Sequence, residues 1–323
     1  MKSAKISPHN GFKEKGIRTG AKNYAKSRST LELGLLAVPA ILWFIVFAYI
    51  PMFGIIIAFK DFNYADGIFG SAWNGLENFR YLFATNDAFR ILRNTVLYNI
   101  AFIVLGTVIP ITVAMMLDRI KSRSFIKFAQ TTMFLPHFIS WVIVGFIAQR
   151  FFSTNTGLLN QIIEMFGGEK VSWYTEKLPW IFIIIIVRIW KVLGFNTIIY
   201  YGSIIGIDTS LYEAARIDGA NEWQVARKIT LPLLMPTIMI LFIMATGNIL
   251  RADFGLFYYV PNNQGPLYPV TDVIDTYIYR ALKISGDIPG SSAASFVQSV
   301  AGLVIVYVAN YVTKKIDPDN ALF

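Results

Sequence analysis

The chain has 323 residues, of which 55% are hydrophobic and 15% charged, with a formal net charge of +9 and a mean hydropathy of +0.51. One soluble core does not need this much apolar sequence, so the composition indicates a membrane protein. The absence of cysteine excludes disulfides, thiol nucleophiles and zinc-thiolate sites. Two histidines argue against a histidine-based metal centre.

Six apolar stretches are long enough to cross a bilayer, which takes about 20 residues each. They lie at about residues 33–59, 94–117, 128–148, 179–205, 233–250 and 293–312. We therefore predict an all-α membrane protein, with a basic cytoplasmic tail over residues 1–30 and six transmembrane helices within residues 31–323. The first stretch, about 27 residues, is longer than the apolar region of a signal peptide and predicts an uncleaved span.

The charges are distributed unevenly between the predicted loops. The two tails and the loops 118–127 and 206–232 together hold 17 Lys and Arg against 9 Asp and Glu, whereas the other three loops hold 10 against 11. The positive-inside bias predicts that both termini are cytoplasmic, and helix parity then places the 206–232 loop there too. This distribution indicates cations near lipid headgroups and no nucleic-acid partner.

Short helices are predicted in the loops on the other side. Asn86 to Arg93 has a helical pattern leading into the second span, and Leu158 to Met165 lies between glycine breakers. Prolines forbid a continuous helix early in the 251–292 loop, but Thr271 to Ile284 is predicted to form one.

The 206–232 loop, here called the elbow, is predicted to contain two short helices. Ser210 and Glu213 fit a capping box, which predicts a first helix beginning at Leu211. That helix must break at Gly219, since glycine adopts the positive φ of a helix C-terminus readily.

The second predicted helix of the elbow starts at another capping pair. Asn221 followed by Gln224 has the capping spacing, and the helix is expected to run to Ile229, with Pro232 at the entry to the fifth span. Two stiff helices joined at a glycine form a compact knob that suits a groove on a soluble partner.

Several elbow residues form a recognisable motif. Glu213-Ala214-Ala215 with Gly219, followed by Ile229-x-Leu231-Pro232, resembles the EAA loop of permease subunits in bacterial ATP-binding-cassette (ABC) importers. The resemblance implies a type I importer permease (MetI-like) fold in the bacterial cytoplasmic membrane. It also implies that the ATPase-coupling residues are Glu213, Ala214, Ala215, Arg216, Asp218, Gly219, Ile229, Leu231 and Pro232.

The same resemblance implies a set of partners. These are a second homologous permease, expected to form a heterodimer, two ATPase subunits, an extracellular solute-binding protein, an oligosaccharide substrate and membrane lipid. The chain has no Gly-x-x-x-x-Gly-Lys-Ser/Thr phosphate loop. We therefore expect no enzyme activity, cofactor or metal in this chain, with ATP and Mg bound by the partner ATPase.

Motifs in the fourth span and in the elbow resemble the carbohydrate branch of these importers, which includes the maltose-type permeases. They are Trp190-Lys191-x-x-Gly194-Phe195-Asn196 and the extended run from Tyr212 to Ala220. The runs Thr271 to Tyr277 and Asn320 to Phe323 resemble the LplB-like polysaccharide or oligosaccharide permeases in particular.

Polar and aromatic residues within the spans are candidates for the substrate pathway, because aromatic rings stack on sugars and polar groups bind hydroxyls. They are Trp141, Arg188, Trp190, Lys191, Asn196, Tyr200, Asn248, Arg251 and Asp253. Each has a structural alternative, such as core filling, a bond to a neighbouring helix or, for Arg188 and Lys191, a carboxylate on the partner permease. His137, after Pro136, is expected to bond a helix at a kink.

Other functions remain open at this point. The same fold could import a peptide, a polyamine or a phosphate ester, and an ion-coupled carrier or channel would need no ATPase. A membrane-embedded enzyme is disfavoured, because the spans hold no cluster of carboxylates, histidines or cysteines.

Overall fold

The computed structural model describes residues 34–316. The predicted tail over residues 1–30 and the closing motif at 320–323 lie outside this range. Contacts within the chain form two compact units, one ending at Gly54 and the other beginning at Ile55. The first apolar helix, α1 (Gly34–Phe59), includes the boundary between them.

The second unit is helical apart from one short antiparallel ribbon, in which β1 (Lys60–Asp61) pairs with β2 (Ala72–Trp73). Its helices in chain order are α2 (Gly67–Gly70), α3 (Glu77–Ala84), α4 (Asn86–Asp118), α5 (Arg123–Phe138), α6 (Trp141–Phe152), α7 (Leu158–Met165), α8 (Lys177–Ile205), α9 (Thr209–Ile217), α10 (Glu222–Val225), α11 (Leu231–Gly247), α12 (Phe254–Tyr259), α13 (Tyr268–Thr271), α14 (Ile274–Lys283) and α15 (Ile288–Ile316). The short helix predicted at Leu158 to Met165 is confirmed, and the one predicted near Thr271 to Ile284 is present as α14.

Five helical segments of the described chain are long and apolar enough to cross a membrane, and a sixth would require one bent pair to count as a span. That pair is α5 and α6, which meet at 97°. The predicted third span over residues 128–148 therefore contains a break between two helices, at the kink expected beside Pro136. Proline disrupts a helix, and Pro136 lies near the end of α5. Ser140 then accepts a hydrogen bond from the Ile143 N–H and starts α6 in a new direction.

The first elbow helix begins earlier than the sequence predicts. The Asp208 carboxylate accepts a 2.9 Å hydrogen bond from the Ser210 N–H, so α9 begins at Thr209 and the predicted Ser210 to Glu213 capping box is wrong. A charged acceptor makes the stronger cap. The backbone N–H of Ser210 lowers the pKa of Asp208 accordingly.

The second elbow helix begins as the sequence predicts but ends elsewhere. The capping box is confirmed, with the Gln224 N–H donating to Asn221 Oδ1 at 2.9 Å and the Asn221 N–H donating to Gln224 Oε1 at 2.8 Å. The predicted stop at Ile229 is wrong, because α10 continues through a π turn over Ala226–Thr230 directly into α11. Pro232 lies in the first turn of α11 and has no backbone N–H to donate. The wider π turn before it accommodates this missing hydrogen bond.

Two buried apolar clusters lie at opposite ends of the helices. One is at the elbow end and contains Ile111, Ala114, Tyr200, Ile204 and Leu234. The other is at the end that carries residues 248–287, here called the connector, and includes Tyr98, Trp180, Ile184, Leu256 and Phe257. Both α4 and α8 contribute to each cluster, so their middle sections lie between the two.

Helix α8 makes the most extensive contacts of the bundle, with α4 on one side and α5 on the other. Its approach to α5 depends on Gly194, because a Cβ there would overlap the Met133 carbonyl. The 97° turn after α5 then directs α6 toward the connector, where Gly145 faces the Tyr259 backbone. Glycine therefore permits close helix contacts on both sides of the bend.

A buried carboxylate joins the connector to α4. Asp272 is 1% exposed and accepts hydrogen bonds from Arg280 at 2.6 Å, Arg90 at 3.2 Å and the Thr276 hydroxyl at 2.9 Å. Asn94 of α4 donates to the Asp272 carbonyl at 2.9 Å. This explains the polar run from Thr271 to Tyr277, which is a structural junction.

We expect Asp272→Ala to destabilise the protein by about 3–5 kcal/mol, because it leaves two arginines near a buried site without their shared carboxylate. Thermal unfolding in detergent would measure the change. Asp87→Ala is the matched control, since Asp87 pairs with the same Arg90 at 2.7 Å but is half exposed. It should change stability by about 1 kcal/mol or less, and equal losses in the two variants would contradict the assignment.

Candidate functional site

A cavity of about 480 Å³ lies between the two apolar clusters. Its walls come from the middle of α4, the end of α5, the middle of α8, the second half of α11 and the start of the connector. The lining residues are Asn99, Phe102, Ile103, Gly106, Thr107, His137, Arg188, Ile189, Val192, Phe195, Asn196, Tyr200, Leu241, Ala245, Asn248, Arg251 and Asp253.

Three side-chain amides in this lining are held in defined orientations. The Asn99 NH₂ donates to the Ile249 carbonyl at 2.9 Å, the Asn196 NH₂ to the Gly106 carbonyl at 3.2 Å, and the Asn248 NH₂ to the Met244 carbonyl at 3.0 Å. Only the NH₂ group can donate, so these bonds set which end of each amide is used. The amide oxygens are left as hydrogen-bond acceptors for a ligand that carries hydroxyl groups.

The cavity also holds three charged groups. Arg188 of α8 lies 3.6 Å from the Asp253 carboxylate, which also accepts a 3.0 Å hydrogen bond from the Trp141 indole N–H. Arg251 lines the same end of the cavity and is exposed. Arg188 therefore forms its ion pair with a carboxylate of the same chain.

Aromatic rings line the rest of the wall. The His137 imidazole stacks on Phe195, with centroids 4.8 Å apart, and Arg188 lies over the Phe102 ring at 5.9 Å. Tyr200 forms the floor at the elbow end and is almost fully buried. Flat rings beside hydroxyl-binding amides are the chemistry that a sugar ring requires.

The predicted pathway residues fall into two groups. Those that line the cavity are Arg188, Asn196, Tyr200, Asn248, Arg251 and Asp253. The other three, Trp141, Trp190 and Lys191, lie outside the lining. Trp190 is 42% exposed on another face of α8, while Trp141 touches the cavity only through its bond to Asp253.

Lys191 is buried at the bend between α5 and α6. Its ammonium donates to the Pro136 and His137 carbonyls, each at 3.2 Å, and to the Ile139 carbonyl. It also lies 4.9 Å from the centroid of the Trp141 ring. The carbonyls at a helix C-terminus carry partial negative charge, so the cation stabilises the end of α5. The Pro136 carbonyl also accepts from the Ile139 N–H.

Other lining residues were absent from the sequence prediction. On α4 these include Asn99, Phe102, Gly106 and Thr107, which share one face because their spacing follows the helical period. The isolated Asn99 in an apolar span was the available signal. Gly106 and Thr107 have no sequence pattern that would mark them as cavity residues.

The elbow forms a second candidate site. Glu213, Ala214, Arg216, Asp218 and Gly219 are exposed along and after α9, and Gly219 has the predicted positive φ of 76°. Ile229, Leu231 and Pro232 instead belong to the π turn and the start of α11. The motif therefore includes both an exposed surface on the elbow and the first turn of the apolar helix α11.

Two contacts attach this surface to the bundle. The Tyr212 hydroxyl is 3.2 Å from the Thr230 hydroxyl, which joins α9 to the π turn. Arg119, just after α4, forms an ion pair with Glu222 in the first turn of α10. Exposed apolar side chains remain on the elbow, including Ile217 at 87% and Trp223 at 72%, and they offer a docking surface.

Comparisons with known proteins match most of the chain. A family described as "Binding-protein-dependent transport system inner membrane component" matches residues 106–320. Protein LplB of Bacillus subtilis (strain 168) is 34% identical over 89% of this chain and 90% of that protein. The polygalacturonan/rhamnogalacturonan transport system permease protein YteP of the same organism is 35% identical over 88% of each.

Solved structures agree with these relatives. A chain of a bacterial ABC transporter involved in the import of the acidic polysaccharide alginate superposes with a TM-score of 0.83, at 33% identity, over 92% of this chain and 99% of that one. A second structure shows a bacterial alginate ABC transporter in complex with an alginate pentasaccharide-bound periplasmic protein, with a TM-score of 0.81 at 33% identity, over 91% of this chain and 98% of that one.

We expect Lys191→Met to act on stability. The variant keeps the length of the side chain but removes the ammonium donor to the His137 and Ile139 carbonyls. The cost is about 1–3 kcal/mol for each carbonyl left unsatisfied. Thermal unfolding in detergent would detect this loss. Lys177→Met, at the exposed start of the same helix, should leave the unfolding temperature unchanged. A Lys191→Met protein of normal stability would contradict the role at the bend.

Proposed function

Since the chain belongs to the family of binding-protein-dependent transport system inner membrane components, we propose that it is the permease subunit of an ATP-driven importer of oligosaccharides or polysaccharide fragments. It is a multi-pass protein of the bacterial cytoplasmic membrane. The observation that supports the mechanism is that the helix is continuous from Glu222 through the π turn to Leu241 and Ala245, which line the cavity. One helical rod thus begins in the elbow and ends in the cavity wall.

A sugar cargo is supported by the cavity and by the relatives. Asn99, Asn196 and Asn248, whose NH₂ groups are bonded to carbonyls, line a cavity that aromatic rings also line. A sugar supplies hydroxyl donors and apolar ring faces together. Relatives named for polygalacturonan and alginate transport support the same substrate class.

For the topology, we propose that the α5 and α6 pair counts as one interrupted span, giving six, with both termini cytoplasmic. Non-helical backbone at membrane depth is tolerated where protein buries it and satisfies its hydrogen bonds. At the bend, Lys191 donates hydrogen bonds to the backbone carbonyls. The elbow then lies in the cytoplasm and the connector outside, in agreement with the charge bias of the loops.

The proposed assembly contains a second homologous permease, two ATPase subunits and an external solute-binding protein. The exposed face of α9, with Glu213 and Ile217, would enter a groove of one ATPase. ATP and Mg would bind that partner. The connector would receive the loaded binding protein, as the alginate transporter structure includes such a protein.

In the proposed cycle, closure of the ATPases pushes on α9 and hence on the rod formed by α10, the π turn and α11. Tyr212 and Thr230 transmit the push within the elbow, and Arg119 with Glu222 transmits it to α4. Leu241 and Ala245 would then shift against the facing wall of the cavity, exposing its contents to one side of the membrane and then to the other. The energy source is separate from this chain.

The absence of cysteine makes the proposed orientation directly testable. Single cysteines replacing Ile217 in the elbow and Phe166 beyond α7 would both be accessible, since these residues are 87% and 89% exposed. In intact cells, a membrane-impermeant maleimide should label the Phe166→Cys variant alone. Permeabilised cells should show labelling of both, provided that the cells in both arms lack the partner ATPases that would cover Ile217. Labelling of Ile217→Cys in intact cells would contradict the orientation.

We expect Glu213→Ala and Gly219→Ala to uncouple transport from ATP hydrolysis. Glu213 is exposed on the docking helix, and a Cβ at the positive φ of Gly219 costs about 1–2 kcal/mol. Reconstituted complexes should lose oligosaccharide uptake and saccharide-stimulated ATPase activity, while affinity for the loaded binding protein stays unchanged.

Matched variants control for the substitutions themselves. Gly202→Ala adds a Cβ into equally open space on α8 but at an ordinary helical φ, and Glu169→Ala removes an exposed acid far from the elbow. Both should transport normally. Full uptake by both elbow variants would contradict the docking assignment, and uptake of peptides or polyamines in place of oligosaccharides would contradict the sugar assignment.

A further inference from the structure

We infer that this cavity selects saccharides that carry a carboxylate, and that Arg251 is the residue that recognises the carboxylate. The inference rests on the proposed function and narrows its substrate class from oligosaccharides in general to acidic ones. It follows from the balance of charges around the cavity and from the way in which each charged group is already engaged.

The lining contains two arginines and one carboxylate. Asp253 is already used twice, by Arg188 at 3.6 Å and by the Trp141 indole N–H at 3.0 Å. Arg188 is partly enclosed and also lies over the Phe102 ring. Within the lining the charges of Arg188 and Asp253 cancel, so Arg251 remains as an excess positive charge. Lys191, next to Trp141 but outside the lining, is a further cation whose ammonium donates to the carbonyls at the bend.

Arg251 is held in place through its backbone. Its N–H donates to the Asn248 carbonyl at 2.8 Å, and its own carbonyl accepts a 3.2 Å hydrogen bond from the Asn99 NH₂. Two residues that line the cavity thus fix the position from which the Arg251 side chain departs. Because these bonds use backbone atoms alone, the guanidinium keeps all its donors for other partners.

No carboxylate within residues 34–316 forms an ion pair with Arg251 at 4 Å or less. Burial raises the pKa of Asp275, and the charge of Arg251 is the smallest of the influences that oppose this rise. Its carboxylate is engaged by the Ala252 N–H at 2.7 Å and the Gln298 NH₂ at 3.1 Å. Arg251 is exposed and lines the cavity.

A planar guanidinium presents paired donors that match the two oxygens of a carboxylate. In a partly enclosed site this attraction is stronger than in water. Asn99 and Asn248 line the same cavity, and a side-chain amide oxygen accepts hydrogen bonds from hydroxyls. A uronic acid unit offers this combination, since it has a carboxylate and hydroxyl donors on one ring, whereas a neutral hexose leaves the excess charge unpaired.

The test uses the complete reconstituted complex with its binding protein and two probes, an oligogalacturonide and its methyl ester. The two probes have the same rings and hydroxyls and differ in charge at the carboxyl group. We expect Arg251→Gln to raise the concentration for half-maximal uptake of the acid by about tenfold or more, the scale of losing one charge-assisted hydrogen bond. The value for the ester should change by less than about twofold, and Arg251→Lys should retain part of the preference.

Arg150→Gln is the matched control, because Arg150 is an exposed arginine at the end of α6 that does not line the cavity. It should leave both values unchanged. Equal effects of Arg251→Gln on acid and ester would overturn the inference, as would uptake of neutral oligosaccharides without uptake of the acid. In either case the proposed function would survive. A wild-type complex that imports neither acidic nor neutral oligosaccharides would refute the proposed function itself.

Discussion

The fold depends on how the bend between α5 and α6 satisfies its backbone. A helix that ends inside a membrane leaves carbonyl groups with no water to bind, and each costs several kcal/mol. Lys191 extends from α8 and donates to the carbonyls of Pro136, His137 and Ile139. The charge of the lysine and the broken helix are each unfavourable alone. Together they form a stable unit, which fixes α8 against both halves of the interrupted segment.

The position of the cavity follows from this unit. Gly194 brings α5 close to α8 on one side of the bend, and Gly145 seats α6 under Tyr259 on the other. Helix α5 therefore packs along α8, and after the bend α6 runs away from it to contact the connector. Between the apolar clusters at the two ends, the helices enclose a space in which Arg188, Asp253 and the three side-chain amides can remain hydrated.

Much of this organisation was predictable from residues that act locally. The apolar stretches, the Asn221 capping box and the positive φ at Gly219 were all predicted, because each depends on neighbours a few residues away. A kink beside Pro136 was predicted, but its 97° angle and the break in the helix were not, because the stabilising partner Lys191 lies more than 50 residues further along the chain. The Asp208 cap was missed because Ser210 also has the right spacing, and only geometry decides between them.

The same distinction applies to the candidate site. Polar residues in the spans were the correct class to examine, but sequence spacing does not reveal which face of α8 points inward. Arg188 and Asn196 line the cavity, whereas Trp190 lies on another face and Lys191 is occupied at the bend. The α4 contribution also needed the fold, because Gly106 and Thr107 matter only through the neighbours that the helix packing brings to them.

The uneven packing of the helices indicates which part of the bundle is best suited to move. Helices α4 and α8 share a long contact, while α11 touches each of them only sparsely and packs mainly on α15. Gly247 meets Val306 in that second contact. A displacement of α11 at its elbow end therefore disturbs few contacts with the α4 and α8 pair. The π turn at Ala226–Thr230 has no glycine or chain break that would absorb the displacement, so a push on the elbow reaches the cavity wall through continuous helix.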